Sequence, residues 1–119
     1  MIYSTGIDIV SIRRLKKYIN DDAFLDRLLT DSEKEYIFTK RHPHKHLAGR
    51  FAAKEAVMKA MGTGWDKGVG WRDIEVVNRS DGRPSVCLHS KAKTITKGKK
   101  VLLSLSYAEE IAVAFAIIE

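Results

Sequence analysis

The stretch from about His44 to Met61, HKHLAGRFAAKEAVMKAM, constrains this chain more than any other. At about 100° per residue, Leu47, Phe51, Met58 and Met61 form one wide apolar face. Ala48, Ala52, Ala56 and Ala60 form a second, narrow one. A helix apolar over so much of its circumference belongs inside a core. In a chain of 119 residues, with room for one core, it becomes the centre of the fold. Four charges interrupt it. Glu55 and Lys59 fall in the seam between the two apolar faces; Arg50 and Lys54 lie on the opposite edge and inside the large face. His42-Pro43 breaks the chain before this helix, and Gly62 is its expected C-cap.

The remaining segments are shorter. Residues 2–10 (IYSTGIDIV) read as a strand with an internal glycine. Ser11 caps a helix over SIRRLKKYI, and residues 22–29 make a second helix. Thr30 starts a third, with Thr30 and Glu33 at capping-box spacing. Residues 62–70 (GTGWDKGVG) form a glycine-rich loop. IEVVN and PSVCL make a hairpin around Arg79-Ser80-Asp81-Gly82. A short helix follows near Lys91–Thr96, and VLLSLSY and IAVAFAII end the chain as a strand pair. In the last strand Ile111, Val113, Phe115 and Ile117 share one face, and Ala112, Ala114 and Ala116 the other. Small residues on a sheet face allow close packing. The order implies one α+β domain over 1–119: a mainly antiparallel sheet packed against one long helix and several short ones.

Two carboxylates sit where carboxylates are costly. Asp8 lies between Ile7 and Ile9 in the first strand, a setting that suggests burial. Glu55 projects from the apolar helix. Each has a plain alternative: an ion pair from Asp8 to one of the 21 basic residues, and the i,i+4 pair Glu55–Lys59. Taken together, the acids suit a hard cation such as Mg²⁺, which takes one or two carboxylates plus substrate phosphates. Arg50 and Lys59 would suit the phosphates, and the glycine-rich loop offers backbone N–H groups to an anion. It is not a P-loop, for it lacks GxxxxGK followed by Ser or Thr and comes after a helix.

A net charge of +6 favours an anionic partner without choosing one. The single cysteine, Cys87, rules out an intrachain disulfide and reads as a small core residue. The longest apolar run, Ile111 to Ile118, is too short to span a bilayer, and the first residues lack the pattern of a secretory signal. A cytoplasmic protein is the expectation. His42, His44 and His46 alternate, but Pro43 makes a shared metal geometry awkward.

Five strings carry a resemblance: GIDIV at 6–10, LAGRFAAKEAVMKAMGTG at 47–64, DIEV at 73–76, DGRPSV at 81–86 and SLSYAEEIAVAFAII at 104–118. In this order and spacing the chain resembles the 4′-phosphopantetheinyl transferase superfamily, in its short-chain bacterial holo-[acyl-carrier-protein] synthase group. That resemblance implies coenzyme A as substrate, with Mg²⁺ bridging its pyrophosphate. A serine hydroxyl of apo-acyl carrier protein attacks the β-phosphorus, 4′-phosphopantetheine is transferred, and adenosine 3′,5′-bisphosphate leaves, in the service of fatty-acid biosynthesis. It assigns the metal to Asp8 and Glu55. Lys59 then binds phosphate and favours the departing group, and Arg50 reaches coenzyme A phosphates. Gly62, Thr63 and Gly64 wall the nucleotide, Pro84 flanks the adenine, and Ser106 binds phosphate. Arg13, Arg14, Lys17 and Arg27 would meet the acidic acyl carrier protein. A homotrimer with sites between subunits is implied. Neither nucleic acid nor a membrane is expected as a partner.

The chain departs from the family at one place. Relatives carry a histidine after Ser-Leu-Ser or its equivalent; here Tyr107 stands there. A phenol titrating near about 10 is a poor base at neutral pH. Two other readings follow: a catalytically impaired carrier-binding paralogue, and a basic nucleic-acid-binding module, for which no recognition signature is present.

Overall fold

The computed structural model describes residues 1–62 and 68–119. Strand β1 (Ser4–Ser11) leads into the short helix α1 (Ile12–Lys16). Helices α2 (Asp22–Leu28), α3 (Asp31–Phe38) and α4 (Pro43–Met61) follow. After a 3-10 turn at Trp71–Asp73 come β2 (Ile74–Asn78), β3 (Pro84–Leu88), α5 (Ser90–Thr96), β4 (Val101–Ala108) and β5 (Ile111–Ile118).

The caps are the expected ones. The Ser11 hydroxyl accepts from Arg14 N. Thr30 and Glu33 form a complete capping box. Pro43 takes the first turn of α4, where its missing N–H costs nothing. Gly62 closes that helix at φ 69° in the left-handed region. Helix α1 stops at Lys16 instead of running to Ile19; the chain turns there, and Tyr18 stacks on Phe24 with ring centroids 4.3 Å apart.

Among the described residues all strand pairing is antiparallel, but it forms two sheets rather than one. The first has the order β1-β5-β4 and the second is the hairpin β2-β3. β3 approaches β4 without pairing to it. Between them lies a groove of about 800 Å³ whose lining includes Arg79, Arg83, Pro84, Lys93 and Lys100.

Helix α4 packs against β1, β5 and β4 on one side and meets α3 and β2 on another. Alternation along β5 shows that its two faces differ; packing decides which one turns inward. Ala112, Ala114 and Ala116 are buried toward α4, whereas Ile111 and Phe115 are exposed. Alanine lets the sheet backbone approach the helix closely, and Ala48, Ala52 and Ala56 of α4 are buried in return. The alanine surfaces thus cover each other inside one chain. The outer sheet face is left apolar and open, with Ile7 55% and Ile9 65% exposed.

Closest approach occurs at Gly6. A Cβ there would overlap the Ala56 carbonyl oxygen and stand 2.7 Å from Ala60 N. The Ser4 hydroxyl donates to Ala60 O at the same seam. The obstruction is helix backbone, which cannot rotate away. Gly6→Ala should therefore cost about 2–3 kcal/mol, read as a lowered urea midpoint. An unshifted midpoint would show that β1 lifts off α4 freely.

Cys87 corrects the sequence reading: it is exposed, not a core residue. In β3 only one face can turn to the interior, and Cys87 alternates onto the other, opposite Glu75 of β2.

Candidate active site

The packing at Gly6 sets the position of Asp8, two residues on and therefore on the same face of β1. Ile7 and Ile9 point the other way, into the open. Asp8 is thus directed at α4 rather than embedded among its sequence neighbours, and its side chain is 16% exposed. Lys59 Nζ donates to Asp8 Oδ1 at 3.0 Å and to Ile7 O at 3.0 Å. Lys59 therefore pairs with an acid 51 residues away in sequence, not with its helical neighbour Glu55.

Glu55 stands one turn before Lys59. Burial pushes its carboxyl up from the ordinary carboxylate value, the nearby Asp8 charge adds to the rise, and Lys59 opposes it. A half-buried Glu55 carboxyl whose ionisation the Asp8 charge disfavours, beside a cation more than half exposed, forms a site that gains from added positive charge. Both donors are hard oxygens, the kind Mg²⁺ takes. Asp8 and Lys59 thus meet at the β1–α4 seam, with Glu55 one turn away and within reach of the Asp8 charge.

Arg50 has a different setting. It is 2% exposed, with Nη2 donating to Val76 O at 3.2 Å and to Asn78 Oδ1 at 2.8 Å. Its guanidinium lies over the Tyr36 ring, 4.5 Å from the centroid. Nε is buried without a hydrogen-bond partner among the described residues, 3.9 Å from Glu33 Oε2. Arg50 ties α4 to the hairpin and is not gathered with Asp8. Lys54, singled out only as an unusual charge, is fully buried and paired with Glu33 at 2.7 Å. The capping-box glutamate thus has a second task that its local spacing could not reveal.

Tyr107 points from β4 to the same side of the sheet as Asp8, farther along α4. Its hydroxyl occupies the space above Gly49, where a Cβ would overlap it. Lys45 Nζ lies 4.9 Å from its ring centroid, and the His46 ring 6.2 Å away. Burial raises the phenol's pKa; Tyr36 adds to this and Arg50 opposes it. Tyr107 is accordingly even less ionised at neutral pH than a free tyrosine, and so is not available as a general base.

Burial, with the charges of Lys40, Arg50 and Lys45, holds the neighbouring His46 imidazole down to about 4. An unfolded histidine titrates near about 6.5, so the unfolded chain takes the proton first. Stability should be indifferent to His46 above about pH 6.5 and fall as pH drops from there toward 4. Partial solvation of the ring limits the loss to on the order of 1 kcal/mol. His46→Phe should flatten the stability profile in that window. A wild-type slope in the variant would show that folded His46 protonates freely.

The other expected residues are spread more widely. Ser106 is exposed, on the opposite face of β4 from Tyr107. Pro84 lies on the groove between β3 and β4, at the far edge of the sheet order from β1. Gly62 is the exposed cap of α4, whereas Thr63 and Gly64 lie outside the described residues. Arg13, Arg14 and Lys17 are exposed around α1, and Arg27 is exposed in the last turn of α2. Arg13 reaches Glu110 at 3.7 Å. The groove's Arg79, Lys93 and Lys100 escaped the motif reading, and Arg83, though inside the DGRPSV string, was given no role; their one signal was the excess of base over acid.

This α+β scaffold, with its strand carboxylate paired to a helix lysine and a second carboxyl one turn back, has the fold of a class of small transferases. The family model described as the 4′-phosphopantetheinyl transferase superfamily matches residues 4–116, and the chain belongs to this family. Within it, the chain is 44% identical to a holo-[acyl-carrier-protein] synthase of Geobacter sp. (strain M21), covering 100% of this chain and 99% of that protein. The fold matches a holo-[acyl-carrier-protein] synthase from Neisseria meningitidis with TM-score 0.89 and 35% identity, over 100% of this chain and 99% of that one. A Bacillus anthracis holo-(acyl-carrier-protein) synthase in complex with CoA (3′,5′-ADP) matches with TM-score 0.85 and 38% identity, over 100% and 97%. The chain is a phosphopantetheinyl transferase, and no helix among the described residues is long and apolar enough to cross a membrane.

Proposed function

We propose that residues 1–119, as one transferase domain, move 4′-phosphopantetheine from coenzyme A to a serine of an apo-acyl carrier protein in a Mg²⁺-dependent reaction of fatty-acid biosynthesis. The observation that carries this reading is the electrostatic coupling of Asp8 and Glu55 across the β1–α4 seam, with Lys59 on Asp8. The serine oxygen forms a bond to the β-phosphorus. The bond from that phosphorus to the bridging oxygen breaks, adenosine 3′,5′-bisphosphate leaves, and the serine proton passes to solvent. Bound Mg²⁺ supplies Lewis acidity and a template for the diphosphate. Asp8 and Glu55 would hold it. Lys59 is exposed enough to turn from Asp8 to the phosphates and neutralise the departing one. Such a reaction needs placement and charge neutralisation more than covalent participation by the protein.

Asp8 and Pro84 lie at opposite edges of the β1-β5-β4 sheet and its neighbouring hairpin. A nucleotide touching both kinds of residue is best served by two subunits, one giving the carboxylates and the other the basic groove. The open apolar sheet face bearing Ile7, Ile9, Ile111 and Phe115 supports association into a homotrimer. The exposed bases Arg13, Arg14, Lys17 and Arg27 would steer the acidic carrier to this site. An exposed free thiol at Cys87 suits a reducing cytoplasm.

The test is incubation with coenzyme A, Mg²⁺ and apo-carrier, followed by mass spectrometry of the carrier. Gain of the phosphopantetheine mass is expected, and its absence would count against the activity. The burial of Tyr107 favours a second reading, an impaired paralogue that binds the carrier. Tyr107→His raising the rate many-fold would support that reading; an unchanged rate would show that no imidazole is required at this position.

A further inference from the structure

We propose that Glu75, Cys87 and His89 form a site for a borderline-soft divalent cation of the zinc class, separate from the Asp8–Glu55 pair. The hairpin register sets Glu75 directly opposite Cys87. His89 follows Cys87 by two residues and stays on the same face, because its N–H donates to Asp73 O at 2.8 Å and extends the ladder. One carboxylate oxygen, one thiol sulfur and one imidazole nitrogen therefore lie within 4.8 Å of one another. Glu75 Oε1 and His89 Nε2 are 3.0 Å apart.

The carboxylate is also held from behind. Thr30 Oγ1 and Ser32 Oγ, at the start of α3, each donate to Glu75 Oε2 at 2.6 Å. These two bonds fix the orientation of the Glu75 carboxylate and leave Oε1 facing His89. A ligand that is ionised and oriented by a second layer of donors is what metal sites use. Tetrahedral zinc takes bonds of about 2.0–2.3 Å to nitrogen, oxygen and sulfur. The three donors must therefore close only modestly, and Cys87 is exposed and able to rotate. Solvent supplies the fourth position.

The donor set decides the metal. One thiolate, one imidazole and one carboxylate suit zinc, whereas Mg²⁺ prefers oxygen in octahedral geometry. Binding forms the sulfur–metal bond as the thiol proton passes to solvent, and His89 Nε2 exchanges its contact with Glu75 for the metal. Thiolate and carboxylate together neutralise the dication. The bound ion would join the β2–β3 hairpin to α3 through Glu75 and its hydroxyl donors, and so stabilise the folded chain.

The test is titration of the reduced, metal-free full chain with Co²⁺. Expected is a thiolate-to-cobalt charge-transfer band in the near ultraviolet with intense visible bands of tetrahedral cobalt, saturating at one ion per chain. Zn²⁺ should abolish it and excess Mg²⁺ should not. Cys87→Ser should eliminate the band, His89→Ala should weaken binding, and Ser32→Ala should weaken it about 10-fold. Asp8→Ala should leave it unchanged, which separates this site from the proposed catalytic one. Absence of the band in the wild type, its survival in Cys87→Ser, or full affinity in His89→Ala would overturn the proposal.

Discussion

Lys54→Met is expected to destabilise the chain by about 3–5 kcal/mol, a large share of the 5–15 kcal/mol, roughly, that holds a domain folded. The Lys54 side chain is fully buried. Its ammonium donates to Glu33 Oε1 at 2.7 Å, Leu28 O at 2.7 Å and Trp71 O at 3.0 Å. Each of its three protons has an acceptor. Glu33 also accepts from Thr30 N and Val76 N, both at 3.0 Å. Burial lowers the Lys54 pKa and the Glu33 carboxylate opposes that shift. Methionine keeps most of the volume but takes the ammonium from a buried carboxylate and from the Leu28 carbonyl, whereas Trp71 O keeps its bond from Ile74 N. Glu33→Gln in the same background removes the uncompensated charge and should recover part of the loss. The singles should therefore add to more than the double, by about 0.5–3 kcal/mol. Urea unfolding of the four proteins measures this. Additive singles, or a Lys54→Met loss under about 1 kcal/mol, would mean that the pair does not link α4 to α2, α3 and β2.

Asp8→Asn is expected to lower kcat at least about 10²-fold while the melting temperature changes little. Among the described residues the Asp8 carboxylate bonds only to Lys59, a side chain more than half exposed, so the fold depends on it weakly. In the proposed site the metal would depend on it strongly. Asparagine preserves shape and removes the charge, and Glu55→Gln does the same on the helix side. In both variants the rate should respond to Mg²⁺ only at much higher concentrations than in the wild type. Full activity with an unaltered Mg²⁺ response in either variant would remove that residue from the metal site. Folding and catalysis are thus expected to separate along α4: Lys54 serves the first and Glu55, the next residue, serves the second.

That separation was partly legible in the sequence. Periodicities of 2 and 3.6 are local properties of the backbone. Helix α4, its Pro43 and Gly62 ends, the Thr30–Glu33 cap and the final strand pair could therefore be read residue by residue. The seam position of Glu55 and Lys59 followed from the same arithmetic, and the GIDIV and KEA strings carried the family. Partner choice is not local. Lys59 has an acid one turn away, but β1 brings Asp8 to it, because Gly6 lets strand backbone touch helix backbone. Arg50 looked like a phosphate ligand and Lys54 like an unusual charge on an apolar helix; tertiary packing placed both inside, against Val76 and Glu33.

Alternation in β5 announced two different faces, both without charge, and could not say which would be inside. The alanine face went in because the strand-to-helix gap admits nothing larger, and the isoleucine face was left for another surface. Cys87 followed the same logic to the outside, where hairpin register set it beside Glu75 and His89. The chain's own order of residues therefore determined the elements, the ends of α4 and the family. The fold alone decided which distant side chains would meet, since each meeting depends on how closely two backbones can approach.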